Sequence, residues 1–262
     1  MTAAAAPASP ALPAARVDHV VVAATTLEEG AAWCEATLGA SPGPGGKHAL
    51  FGTHNRLMRI ESEAFASAYL EIIAVDPEAP PPARPRWFGL DEGVTRRRLA
   101  ERGPQLLHLV VRTTSLDAHL AALAAQGLDA GVALAASRQT PHGLLQWRIA
   151  VRPDGQLLFG GAWPTLIEWP ADASTGRVLH PAAAMAASPV RLSEVTLAGL
   201  PSAAIGVLGL AGVGFVAQSP WPAAGDAVTA AGALRIGLET PRGRVTLASP
   251  GWGPDEPVGP GG

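Results

Sequence analysis

Aligned on His19 and His108, the runs HVVVAATTLE and HLVVRTTSLD agree at five of ten positions, the histidines among them. Each histidine is followed, 52 and 60 residues further on, by a glutamate inside an apolar stretch: Glu71 in YLEIIA and Glu168 in LIEW. An imidazole or a carboxylate within an apolar strand carries a desolvation cost unless it is paired or ligated. Two imidazoles and two carboxylates brought together by a repeat form a donor set for a divalent cation with open positions, which nickel, cobalt, zinc, manganese or iron(II) would fit. Taken singly, each residue has a plainer reading as a satisfied core histidine or a solvated strand-end glutamate. Recurrence in both halves favours a shared site.

Periodicity gives the elements that must position these groups. In DHVVVA, His19, Val21 and Ala23 alternate with Val20 and Val22, the period of two of a strand. The pattern predicts strands over Val17–Ala23 and Leu107–Thr113, followed by helices over Leu27–Leu38 and Leu116–Gln126, with Thr26 and Ser115 as N-caps. HALFGTHNRLMRI and AYLEIIAV read as strands of the first half, and GVALAAS, LLQWRIAV and PTLIEW as strands of the second. A proline-rich connection, DPEAPPPARPRWFGLDEG, and a short charged helix join the halves. Arg96, Arg97 and Arg98 point in different directions on that helix and read as a solvated face. From Pro189 a third, shorter unit ends in a hairpin at TPRG. The expected fold class is α+β: paired βαβββ modules forming a curved mixed sheet around a cavity, with a third, shorter β-rich unit at the C-terminus. The expected divisions are a disordered tail 1–15, a first module 16–79, a connection and helix 80–104, a second module 105–170, a partial third module 171–250 and a tail 251–262.

With 262 residues, 48% of them hydrophobic, the chain can bury a sizeable core. A net charge of −3 and a pI near 6.2 provide no basic field for nucleic acid. The single cysteine, Cys34, rules out an internal disulfide and fits a cytoplasmic location; with apolar neighbours in a predicted helix it reads as packing. The first fifteen residues carry no charge and three prolines, without the basic start and apolar run of a secretory signal. Val195 to Gly225 is uncharged, but Pro201, Pro220 and Pro222 interrupt it, so no membrane span is expected.

The paired modules and the His, Glu, His, Glu series look like the vicinal oxygen chelate superfamily, which includes glyoxalase I, extradiol dioxygenases, methylmalonyl-CoA epimerase and fosfomycin-resistance proteins. More narrowly, GGKHALFGTHNRL followed by AYLEIIAVDP, and later LIEWP, resemble the glyoxalase-like domain of many bacterial proteins. The likeness runs from Arg16 to Pro170. It implies that His19, Glu71, His108 and Glu168 match the four metal positions of bacterial glyoxalase I, with Glu168, ahead of Glu71, as the base that shuttles a proton. A full set of four leans away from extradiol dioxygenases, which use two histidines and one glutamate. The third unit and the GTHN segment set the chain apart from glyoxalase I.

GTHN contributes His54 and Asn55 beside a turn glycine, Gly52, with His48 nearby. These are candidates for binding substrate polar groups, the alternative being that Thr53 and Asn55 satisfy turn backbone. Arg112, on the same strand face as His108, is a candidate partner for an anionic substrate, and Trp147 and Arg148 for lining the cavity. His119, His142 and His180 fall in a helix, a turn-like TPHG and a loop, and read as surface residues. The expected function is that of a divalent-metal-dependent lyase or isomerase acting on a small oxygen-rich molecule through an enediolate-type intermediate. The alternatives are a non-catalytic protein that sequesters a small molecule and an extradiol-type dioxygenase. The expected partner is a small-molecule substrate or ligand, with no nucleic acid and no membrane; a homodimer is allowed.

Overall fold

Both faces of the strand Arg16–Ala23 (β1) are apolar, and such a strand belongs where it is covered from both sides. In the computed structural model, which describes residues 12–141, 143–171, 175–176, 178–217 and 232–252, β1 lies in the middle of an eight-stranded sheet. Helix α1 (Leu27–Leu38) follows, then β2 (Gly43–His48), β3 (Thr53–Arg59) and β4 (Tyr69–Val75). After the connection and α2 (Gly93–Arg102) the pattern recurs as β5 (Gln105–Arg112), α3 (Leu116–Ala125), β6 (Val132–Thr140), β7 (Gly143–Val151) and β8 (Thr165–Glu168). The sheet order is β2-β3-β4-β1-β5-β8-β7-β6. β4 runs parallel to β1 and β8 parallel to β5, while β1 and β5 pair antiparallel at the seam. Each half is a βαβββ module, as the repeat predicts. The sheet curls until β2 approaches β6, so closely that a Cβ on Gly46 would fall 2.3 Å from Arg138 Nη1.

Local chemistry explains most boundaries. Thr26 caps α1 by accepting from the Glu29 amide, and Gly39, at φ +69°, ends it in the left-handed conformation. The segment HALFGTHNRLMRI is not one strand. A turn over 49–52, closed by Gly52 at φ +57°, separates β2 from β3. β2 begins in a Gly-Pro run that has no strand pattern, because pairing with β3 and not propensity makes it extended.

The outer face of the sheet carries Val20, Val22, Leu70, Ile72, Leu109 and Val111. It packs against Cys34 and Leu38 of α1 and Leu116 and Leu123 of α3. Burial, helped by Glu35, pushes the Cys34 thiol up to about 12, so Cys34 is a packing residue. The same core continues into a second, four-stranded sheet. That lobe comprises β9 (Arg191–Leu200), α4 (Ser202–Leu208), β10 (Gly214–Ala217), β11 (Ala233–Thr240) and β12 (Gly243–Ala248), in the order β10-β9-β11-β12. Its hairpin turns at Thr240–Gly243, the TPRG segment. The Leu192 amide donates to Ile60 O at 2.7 Å and the Ala15 amide to Leu208 O at 2.8 Å, fastening lobe to sheet. Ala15, which the sequence assigns to a tail, is buried by that contact. Among the described residues no helix is long and apolar enough to cross a membrane.

Helix α1 crosses β4 at Gly30, where a Cβ would lie 2.2 Å from Ile72 Cγ2. In an open helix, Gly→Ala stabilises by about 1 kcal/mol. At this crossing Gly30→Ala should instead destabilise by about 1–3 kcal/mol, the range of overpacked cores. Urea denaturation reads the sign, and a more stable variant would contradict the close approach.

Candidate active site

Two irregularities in the β1–β5 pairing aim the site. Val17 pairs with Val111 and His19 with Val110, leaving Asp18 as an extra residue; Val21 pairs with His108 and Val22 with Leu106, leaving Leu107 extra. Bulges re-aim side chains. Here Asp18 reaches the ring of its neighbour His19, and Leu107 joins the inner apolar cluster beside His108.

Asp18 has no exposed surface and accepts three hydrogen bonds: from His19 Nδ1 at 2.7 Å, Trp169 Nε1 at 2.9 Å and His180 Nε2 at 3.0 Å. Burial works to raise its carboxyl, but the bonds from His180 and His19 outweigh it and hold the group well below the usual carboxylate range. An ionised carboxylate only accepts, so His19 directs an N–H from Nδ1 to Asp18 and turns its Nε2 into the cavity. The His19 ring stacks on Tyr69, centroids 4.5 Å apart.

Opposite Nε2, at 3.5 Å, stands Glu71 Oε2. The other carboxylate oxygen, Oε1, accepts from Asn55 Nδ2 at 2.5 Å. Asn55 Nδ2 also faces His48 Nε2 at 3.2 Å, while Asn55 Oδ1 accepts from the Gly46 amide at 2.8 Å and from Arg138 Nη1 at 3.3 Å. Burial, then the charge of Arg138, pushes the His48 imidazole down to about 3; it is neutral and receives the Asn55 proton. Within this net His19 Nε2 and Glu71 Oε2 face each other across the cavity. Around them lies a cavity of about 30 Å³, walled by Trp87, Phe88, Trp147 and Trp169.

The family model described as glyoxalase-like domain matches residues 17–223. The chain belongs to the glyoxalase-like domain family. It is thereby a member of the vicinal oxygen chelate superfamily. No curated protein sequence matches it. Among solved structures, it is similar to a hypothetical protein from Staphylococcus aureus, with 14% identity and a TM-score of 0.48 over 70% of this chain and 69% of that one. It is also similar to Streptomyces coelicolor methylmalonyl-CoA epimerase in complex with 2-nitronate-propionyl-CoA, with 17% identity and a TM-score of 0.38 over 60% of this chain and 98% of that one. For the Mycobacterium tuberculosis methylmalonyl-CoA epimerase the figures are 19%, 0.35, 62% and 90%. Likenesses at this level decide nothing about substrate.

Within this glyoxalase-like fold the four residues of the His, Glu, His, Glu series do not gather. His19 and Glu71 meet, as above. His108 shares the inner face but both its nitrogens are taken, Nδ1 by Gly161 O at 2.9 Å and Nε2 by Thr165 Oγ1 at 2.8 Å. Its ring lies against Phe88 and lines a separate small cavity with Trp163 and Thr165. Trp87 and Phe88 line both cavities and divide them. Glu168 belongs to the outer face with Leu166, since the inner cluster takes Ile167 and Trp169. It accepts from the Leu116 amide at 3.3 Å and pairs with Arg148 at 2.9 Å, so it serves the start of α3, where Ser115 makes no side-chain cap. Strand register explains the difference. Val21 pairs with Glu71, whereas its counterpart Val110 pairs with Thr165, three residues before Glu168. Among the described residues no three His, Cys, Asp or Glu side chains form a group able to hold a metal ion. The four residues therefore do not fit one shared ion in this arrangement; of the four, His19 and Glu71 are the two that face each other.

Of the substrate candidates, His48, Asn55 and Trp147 line the cavity or its mouth. His54 lies on the other face of β3, its Nδ1 4.0 Å from Asp76 Oδ1. Arg148 is outside with Asp117 and Glu168. Arg112 donates to Ala66 O at 2.9 Å and stands 4.0 Å from Asp18, at the edge of the site. His119, expected at the surface, is fully buried and bonded to Thr113 and Ser115, and His180 belongs to the Asp18 cluster. His142 lies outside the described residues. Sequence reasoning missed Asp18, Tyr69, Arg138 and the Trp87–Phe88 pair. The one advance sign was an acid directly before a repeated histidine, and an aromatic pair in a proline-rich connection.

Burial pushes His108 down from an ordinary 6.5 to about 4. Between those values the unfolded chain binds a proton that the folded one refuses, so His108 makes stability fall as pH drops. Between pH 7 and pH 5 this contributes a loss of about 2 kcal/mol. In urea melts at the two pH values, His108→Gln should show a pH-dependent loss smaller by that amount. An unchanged slope would mean that His108 is not held neutral.

Proposed function

We propose that this glyoxalase-like protein is an enzyme that moves a proton on a small oxygen-bearing molecule, a lyase or isomerase reaction through an enediolate-type intermediate. The observation that carries the reading is the facing pair His19 Nε2 and Glu71 Oε2, 3.5 Å apart in a cavity screened from water by aromatic rings. The lining offers acid–base groups and, apart from the Tyr69 phenol, no hydroxyl or thiol nucleophile among the described residues.

Glu71 is the base. Asn55 anchors its Oε1, which fixes the direction of Oε2 and leaves that oxygen to take a proton from a substrate carbon. Asp18 fixes the His19 ring, so that Nε2, when it carries a proton, donates to the substrate oxygen as charge moves onto it. Tyr69 holds that ring from its flat side. Superfamily members commonly use divalent metals, and an ion held by His19 and Glu71 would supply Lewis-acid polarisation of a substrate oxygen. Glu168 has no part in the chemistry; its work is at the start of α3.

A screen of small 2-oxo and 2-hydroxy compounds in deuterated water, followed by NMR for exchange at carbon, tests the reading. Glu71→Gln should lower exchange by at least about a hundredfold, the scale of general-base catalysis. Glu168→Gln should keep the exchange rate and metal content while losing about 1–3 kcal/mol of stability through weakened charge-assisted bonds. Loss of exchange in Glu168→Gln with wild-type exchange in Glu71→Gln would reverse the assignment.

A further inference from the structure

Arg138 is, among the described residues, the single Arg or Lys that lines the cavity. It comes from β6, in the second module, and reaches over the curled edge of the sheet to the first-module site. Its partners are few. Nη1 donates to Asn55 Oδ1 at 3.3 Å, and no carboxylate pairs with it among the described residues. Some other partly buried arginines are paired, Arg86 with Asp91 and Arg152 with Asp154 and Asp129, but those lie outside the cavity. A guanidinium has five N–H donors in a planar fork that matches a carboxylate, and holding it half out of water with only the Glu71 charge near it, across Asn55, is unfavourable. The chain nevertheless makes room for it. A side chain at Gly46 would occupy the position of Nη1.

Asn55 sets the spacing. Its Oδ1 holds Arg138 and its Nδ2 holds Glu71, so the free cation and the base stand on either side of one side-chain amide. A carboxylate placed on the guanidinium puts the adjacent carbons beside Glu71. We infer that Arg138 seats an anionic oxygen group of the substrate, and that the cavity takes a small 2-oxo or 2-hydroxy carboxylate. The inference rests on Glu71 acting as base for the step that follows binding. The cavity's small volume, about 30 Å³, limits the ligand to a few heavy atoms. In the reaction itself Glu71 takes a proton from the carbon next to the keto group, the electron pair moves to the keto oxygen as an enolate, and return of a proton or deuteron to carbon restores the acid.

Calorimetric titration with pyruvate and L-lactate, against their neutral counterparts hydroxyacetone and lactamide, tests this on the intact protein. The acids should bind the wild type at least tenfold more tightly than the neutral compounds. Arg138→Gln should weaken the acids at least tenfold and leave the neutral compounds unchanged. If that variant does not fold, Arg138→Lys decides, because loss of the planar fork should still weaken the acids several-fold and spare the neutral compounds. Equal binding of the acids to wild type and variant, equal binding of acid and neutral compound, or no binding of either acid to the wild type would overturn the inference. Deuterium exchange at the pyruvate methyl group separates it from the reading beneath it. Arg138-dependent binding without exchange leaves the anion seat standing and removes Glu71 as base. Exchange that depends on Glu71 but ignores Arg138→Gln removes the anion seat alone.

Discussion

A carboxylate with no exposed surface must be fully hydrogen-bonded or it unfolds what surrounds it, since leaving a buried charge without partners costs several kcal/mol. Asp18 meets that demand with donors from three parts of the chain: His19 beside it, Trp169 just beyond β8, and His180 in the segment that follows. The cavity is arranged around this requirement. His19 is locked in one tautomer, Tyr69 is sandwiched between the His19 and His180 rings, and Pro181 is brought against the lining. None of this needs a metal to hold it together. The apolar walls raise the cost of an unpaired Asp18, so the same low-dielectric surroundings that favour proton transfer also fix the geometry.

The two halves share a backbone and not a chemistry. Both have a bulge at the histidine, but the extra residue is Asp18 in one and Leu107 in the other. Both have a partner strand whose residue opposes the histidine's Nε2, but it is Glu71 in one and Thr165 in the other. A leucine cannot polarise an imidazole and a threonine hydroxyl is a poor base. The second half therefore closes its histidine into a satisfied internal pair and contributes walls to the first: Leu145, Trp147 and Ile149 from β7, and Arg138 from β6.

The sequence made the architecture legible because the repeat and the period of two report the same thing twice. Helices at Leu27 and Leu116, the module order and the residues that share a face with His19 all follow from the repeat and from alternation within one strand. Glu168 shows where that logic stops. LIEW alternates as cleanly as YLEIIA, but alternation does not say which set faces inward; the β5–β8 register does, and it turns Ile167 and Trp169 in. The bulge at Asp18 is likewise a property of two strands together. His54 and Asn55 are neighbours with opposite fates for the same reason. Arg138 lay beyond reach because its relevance depends on sheet curvature, which brings β6 to β2 across some ninety positions of sequence.

The connection between the modules bears on why a duplicated fold places its two histidines in different surroundings. A sheet curled around both histidines would leave a single broad space, open at its mouth. Trp87 and Phe88, held in a tight turn with Phe88 at φ +57°, enter that space from the proline-rich segment and stack on each other, with Trp87 also stacked on Phe51. Prolines limit the freedom of such a segment before folding, which lowers the entropy lost in seating it. Once seated, the pair divides the interior and keeps water from reaching both histidines together. On the His108 side the space left is lined by Trp163 and Leu158 and is matched to no free acid–base group. On the His19 side it ends at the facing pair His19 Nε2 and Glu71 Oε2. The plug that separates the halves thus also concentrates the desolvated volume where the unsatisfied chemistry lies.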